Sequence, residues 1–193
     1  FNIQSLEVIQ GPAGSLYGAG TGGAVLIQTM ANHWQPGFTV DYSGGSFNSN
    51  NINAQVRFGD SDNGNAISFS HQVSGGYRDH TQLRRDMAIW ESVIKNNSRQ
   101  TLKSLVSYGD LYYQTPGALT LAEYNANPKQ ARPAAGVNPS AEQAKAAIYQ
   151  KTFMAAISND YRFNDRWKNS TNFYGAYTNY LNPTFRNYEI RNE

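Results

Sequence analysis

Between residues 38 and 73 the chain alternates apolar and polar side chains with a period of two. Phe38, Val40 and Tyr42 interleave with Thr39, Asp41 and Ser43. Ile52, Ala54, Val56 and Phe58 interleave with Asn53, Gln55 and Arg57, and Ile67, Phe69 and Val73 with Ser68, Ser70 and Gln72. Successive side chains of a strand point to opposite faces, so the pattern predicts three half-buried β-strands. His71 falls on the apolar phase of the third. Further strands are predicted at 87–95, 101–108, 151–163 and 168–177. The 151–163 segment alternates most clearly, with Phe153, Ala155, Ile157, Tyr161 and Phe163 on one phase and Thr152, Ser158, Asp160 and Arg162 on the other. The remaining three alternate poorly.

The connections alternate in length. Segments 59–64, 96–100 and 164–166 are tight and polar, whereas 44–51, 74–86 and 109–150 are longer. Short turns at one end and long loops at the other are the habit of bacterial outer-membrane barrels, and a soluble meander has no need of it. Ser140 and Gln143 have capping-box spacing ahead of an Ala-rich run, which predicts a short helix inside the longest connection.

Ahead of the alternating region, LEVIQGPAGSLYGAGTGGAVLIQT (6–29) places two short apolar runs, 6–9 and 24–27, around a glycine-rich segment. Pro12 fixes its own φ and pushes Gly11 out of the helical region, and the glycines permit positive φ or close backbone approach. These residues resemble the end of the plug domain of TonB-dependent outer-membrane receptors. Glu7, Val8, Gly11, Pro12, Ser15, Tyr17, Gly18, Gly22 and Gly23 match that family's pattern, while Gln10 stands where the family commonly has Lys or Arg. Residues 113–135 (YQTPGALTLAEYNANPKQARPAA) and 187–193 (NYEIRNE) resemble the iron-complex branch, similar to ferric citrate receptors.

The resemblance implies an all-β chain: about seven strands of an antiparallel transmembrane barrel of roughly 22 strands, preceded by the C-terminal part of a plug. Residues 1–34 would be plug and 35–193 barrel, with extracellular loops at 44–51, 74–86, 109–150 and 178–193. Glu7, Gly11, Pro12, Tyr17, Gly18, Gly22 and Gly23 would shape the plug, Glu7 by anchoring it to barrel cations. The implied activity is TonB-dependent transport of a ferric chelate, a siderophore or ferric citrate-like complex, across the bacterial outer membrane. The implied partners are the TonB complex of the inner membrane, outer-membrane lipid and the chelate itself, and no cofactor is implied.

Composition narrows the alternatives. The chain opens at Phe1, without an initiator Met and inside a strand-like run, so an excised piece is expected. Mean hydropathy is −0.61 and no run reaches the roughly 20 apolar residues of a membrane-spanning helix, which excludes a helical membrane protein but not a barrel. A net charge of +2 without a clustered basic face gives no reason to expect nucleic acid. The absence of cysteine removes disulfides and thiolate metal sites. Thirteen Tyr, 9 Phe and 3 Trp in a chain 16% charged fit two classes equally: a barrel with aromatic girdles, or a secreted soluble β-sandwich serving carbohydrate binding or adhesion.

Candidate chemistry is sparse. Residues 18–23 satisfy G-x-G-x-x-G, but they lead into an apolar run without helical repeat, so no helix N-terminus is expected to meet a phosphate. His33, His71 and His80 are too far apart for a local metal pair. Glu91, Glu123 and Asp110 have no spacing that fixes a carboxylate pair, and no nucleophile elbow is present, so neither a metal site nor catalysis is expected. The segment 74–86 gathers Tyr77, Arg78, His80, Arg84 and Arg85, and guanidinium groups suit the carboxylates of an anionic chelate. Tyr113 and Gln114, at the start of the longest connection, complete the ligand-binding candidates.

Overall fold

The computed structural model describes residues 3, 5–12, 22–29 and 35–183. Tyr17 and Gly18, singled out above, and most of 178–193 lie outside the described residues, as does His33. Among the described residues the chain is all-β apart from one short helix. Strands β1 (Ser5–Gln10) and β2 (Gly23–Gln28) form a hairpin. Seven more strands form one antiparallel meander in sequence order: β3 (Gly37–Gly45), β4 (Ser49–Gly59), β5 (Asn63–Ser74), β6 (Leu83–Asn97), β7 (Gln100–Gln114), β8 (Ala147–Arg162) and β9 (Lys168–Leu181).

Register fixes what each face carries. Val40, Ala54, Phe69, Ala88, Tyr108, Phe153 and Tyr177 oppose one another across the seven strands, as do Phe38, Val56, Ile67, Trp90, Val106 and Ala155 one row on. The other face carries Thr39, Gln55 and Ser68, then Asp41, Asn53 and Ser70, with Thr152 and Thr178 farther along the latter row. Phe69, Phe153 and Ile157 are each 48% exposed, and no large side chain is fully buried among the described residues. A β-sandwich would press this apolar face against a second sheet. Among the described residues no second layer covers it, so the sandwich reading is not favoured by the fold.

The poor alternation of β6 and β7 has a structural cause. On their polar face stand Met87, Ile89, Val93, Leu105 and Leu111, and β8 adds Met154. The end of the hairpin packs on part of this patch: Ile27, Gln28 and Thr29 line one groove of about 480 Å³ with Glu91, Val93, Leu105 and Met154. Thr29 Oγ1 donates a hydrogen bond to Glu91, which is 8% exposed. Glu7 is exposed and ion-pairs with none of the described residues. In the hairpin, Gly11 (φ 90°) and Gly23 (φ 133°) adopt backbone that L-residues avoid, and a Cβ on Gly23 would lie 2.1 Å from the Ile9 carbonyl oxygen. The Gly11 N–H donates to the Gly22 carbonyl oxygen at 3.4 Å, and Pro12 follows Gly11 directly. Gly23 opens a strand, which removes the helix that a dinucleotide fingerprint requires.

Several connections are shorter than the sequence implied. Strands β3 and β4 continue through most of 44–51 and leave only a turn at 46–48. Its central residues Phe47 (φ 61°) and Asn48 (φ 52°) are both left-handed, as a tight hairpin turn demands. Arg84 and Arg85, expected in a loop, belong to β6, and Tyr113 and Gln114 are the last residues of β7. The true loops are 75–82 and 115–146, at the same end of the sheet as the 46–48 turn.

The helix lies elsewhere than expected. α1 (Leu121–Ala126) is capped by Thr120. The Ser140–Gln143 capping box does form, with Gln143 N–H donating to Ser140 Oγ and Ser140 N–H to Gln143 Oε1, both at 3.0 Å. It caps a single turn only. Lys145 turns left-handed (φ 49°), and the fully buried Ala146 and Ala147 carry the chain straight into β8.

Candidate functional site

At the loop end of the polar face, β5 to β8 line an open groove of about 480 Å³ containing Gln72, Arg85, Leu111, Tyr113, Gln150 and Thr152. Gln72, Arg85, Leu111 and Gln150 stand in one register row across four strands. Arg85 is exposed, and among the described residues it has neither an ion-pair nor a hydrogen-bond partner. A solvated guanidinium beside amide and phenol donors, over the apolar floor of Leu83, Met87 and Leu111, can hold an anionic group by paired hydrogen bonds.

The other predicted ligand residues are divided by the fold. Arg78 donates from Nε (3.2 Å) and Nη2 (2.9 Å) to the Gln130 carbonyl, and the Asp79 N–H donates to Lys129 O at 2.7 Å. His80, left-handed at φ 58°, donates from Nε2 to Ala146 O at 2.7 Å. These groups strap loop 75–82 to loop 115–146. Gln114 adds a tie, its Oε1 accepting from Gln82 N–H at 3.1 Å. Tyr77 stacks edge-on with Phe47, ring centroids 5.7 Å apart, and Lys129 Nζ lies 5.5 Å from the same ring. Tyr77 and Arg78 also line a second groove, of about 470 Å³, with Leu119, Leu121, Tyr124 and Pro128. Arg84 faces the opposite side of the sheet.

Of the seven candidates, then, only Arg85 and Tyr113 share the polar-face groove. Gln72, Gln150 and Thr152 were not singled out from sequence, although each sits on the polar phase of its strand and could have been found by register alone. The three acids considered as a carboxylate pair are apart: Glu91 meets Thr29, Asp110 faces Arg84 and Lys151, and Glu123 caps α1. His71 pairs with Asp86. No group of three or more His, Asp or Glu is placed to hold a metal among the described residues.

α1 depends on a reciprocal cap. Thr120 N–H donates to Glu123 Oε2 at 2.7 Å while Glu123 N–H donates to Thr120 Oγ1 at 3.3 Å. The Thr120 backbone and then its side-chain hydrogen bond hold the Glu123 carboxyl below its ordinary pKa. A carboxylate lowered on folding contributes stability above the unfolded pKa and loses it as pH falls through the lowered value. Acidification below the ordinary carboxylate range should therefore speed amide exchange at 120–123 beyond its intrinsic pH dependence. Glu123→Gln, which keeps the box without a charge, should abolish that extra response. Equal responses in the two proteins would disprove the assignment.

No family model matches the chain. Among solved structures it is similar to the ferric citrate transporter FecA in the unliganded form, with a TM-score of 0.74 and 21% identity, over 93% of this chain and 27% of that one. The chain thus spans about a quarter of the length of the transporter chain it matches, and what the likeness establishes is the fold: an antiparallel section of a β-barrel.

Proposed function

We propose that the chain is the end of the plug, residues 1–34, and the first seven strands of the barrel of a TonB-dependent transporter in the bacterial outer membrane. The observation that carries this reading is the opposite character of the two sheet faces, with a glycine-turned hairpin bonded to the polar one. An apolar, uncovered outer face suits lipid. A polar inner face around a hairpin suits a lumen that has to be stoppered. The similarity to a ferric citrate transporter and the exposed Arg85 beside Tyr113 favour an anionic ferric chelate as cargo, with TonB supplying energy from the inner membrane. Binding, plug rearrangement and release make up the cycle, and the cargo is not chemically altered.

Deleting the full-length gene should abolish saturable uptake of radiolabelled iron offered as its chelate, and inactivating TonB should have the same effect. Uptake that persists undiminished in the deletion strain, for every chelate class offered, would overturn the reading.

A further inference from the structure

One row of the apolar face breaks its own rule. His71, Asp86, Asp110 and Lys151 oppose one another directly across β5, β6, β7 and β8. They stand on the phase of Phe69, Ala88, Tyr108 and Phe153, one step nearer the loops. Arg84 joins from the next step. His71 Nδ1 lies 2.5 Å from Asp86, Arg84 reaches Asp86 at 3.1 Å and Asp110 at 3.2 Å, and Lys151 lies 3.5 Å from Asp110. Tyr112 and Tyr149 stack beside the cluster with centroids 4.9 Å apart.

The cluster is ordered by depth. The Asp86 and Asp110 side chains are only 25% and 18% exposed although no other element among the described residues covers this face, so their own cation partners shield them. Arg84 and Lys151 are 46% and 61% exposed. The two carboxylates balance the two cations in charge, but the carboxylates lie inside and the cations outside, so it is the cations that face outward. Arg84 spends one N–H from each Nη on the acids, and Lys151 is held loosely enough to keep donors free. Cations and tyrosines at the upper limit of an apolar band occupy the level at which lipid headgroups replace acyl chains.

We infer that the row formed by Arg84 and Lys151 over Asp86 and Asp110 is a docking surface for a phosphate-bearing lipid headgroup in the leaflet on the loop side. This rests on the reading that the apolar face meets lipid. The carboxylates orient the cations and restrain their attraction, so removing acids and removing bases should act in opposite directions.

The test uses the full-length protein purified in uncharged detergent, with lipid retention read by native mass spectrometry. The probes are phosphatidic acid and diacylglycerol of the same chains, which differ only in the phosphate. The wild type should retain phosphatidic acid in preference to diacylglycerol. Arg84→Gln with Lys151→Gln should weaken retention roughly fivefold per cation, the effect of one basic side chain at an anionic surface. Asp86→Asn with Asp110→Asn should tighten it. Equal retention of the two lipids, or no tightening in the Asn variant, overturns the proposal, and the second result stands even if the Gln variant fails to fold. Displacement of phosphatidic acid by millimolar inorganic phosphate would assign the row to free anions instead and also overturn it. A wild type that does not enter bilayers at all would count against the membrane reading itself, a separate failure.

Discussion

Replacing Ile157 by Arg should lower the folding free energy of the full-length protein in a bilayer by about 2–4 kcal/mol if the apolar face meets lipid as proposed, the cost of a guanidinium near the midplane. Ile157 is suited to the measurement because it lies on the apolar phase of β8, half exposed, midway between Lys151 and the turn after Arg162. Ala176, exposed on the opposite phase of the neighbouring strand, supplies the comparison. Ala176→Arg should stay within about 0.5 kcal/mol of wild type, as surface changes away from special features do. Denaturant titrations in lipid vesicles would read both. Equal costs at the two positions would mean that the face assignment is wrong, and with it the direction in which the sheet meets lipid.

The second large effect belongs to Arg85. If it holds an anionic cargo, Arg85→Gln should weaken chelate binding roughly tenfold to a hundredfold, the loss of a hydrogen bond to a charged group worth about 1.5–3 kcal/mol. Arg85→Lys should restore only part, since an ammonium cannot offer the paired geometry of a guanidinium. Arg84 is the internal control. It is the adjacent residue of the same strand and faces the other side, so Arg84→Gln should leave chelate affinity unchanged. Titration of the full-length protein with a ferric chelate tests all three, and an Arg85→Gln protein that binds like wild type removes Arg85 from the site.

Much of the fold was legible in the sequence because the period-two code is local. The phases of Phe38–Tyr42, Ile52–Phe58 and Phe153–Phe163 could be assigned without any partner strand, since water on one side and an apolar medium on the other leave a regular trace. β6 and β7 were obscure for a physical reason. Their polar face carries Val93 and Leu105 beside the end of the hairpin, which blurs the alternation, while Arg84, Asp86 and Asp110 on the apolar phase hide the loop-side ends of the two strands. The helix was misplaced because two capping boxes compete within one loop. Thr120 and Glu123 head a segment with room for a helix, whereas Ser140 and Gln143 head one that has to become a strand within a few residues.

The candidate site was legible in kind but not in address. Five polar residues of 74–86 looked equivalent as a cluster, yet one residue of register separates Arg84 from Arg85 and sends them to opposite surfaces. Arg78 and His80 were lost to the site because they bond the part-buried backbone carbonyls of Gln130 and Ala146, partners that only the folded loops bring within reach. Phe47 shows the same logic. A left-handed aromatic residue is unfavourable in isolation, and its contact with Tyr77 helps hold it there.

β3 and β9 are the margins of the meander, and among the described residues each keeps one flank of amides and carbonyls without a neighbour in the sheet. Such a flank is a template for any extended peptide, whether its rightful mate or a stranger. A polypeptide halted partway through synthesis or transit, with these margins bare in water, would zip onto copies of itself. That these two margins be paired or masked before they meet water is therefore a demand made by the hydrogen bonding of the sheet alone.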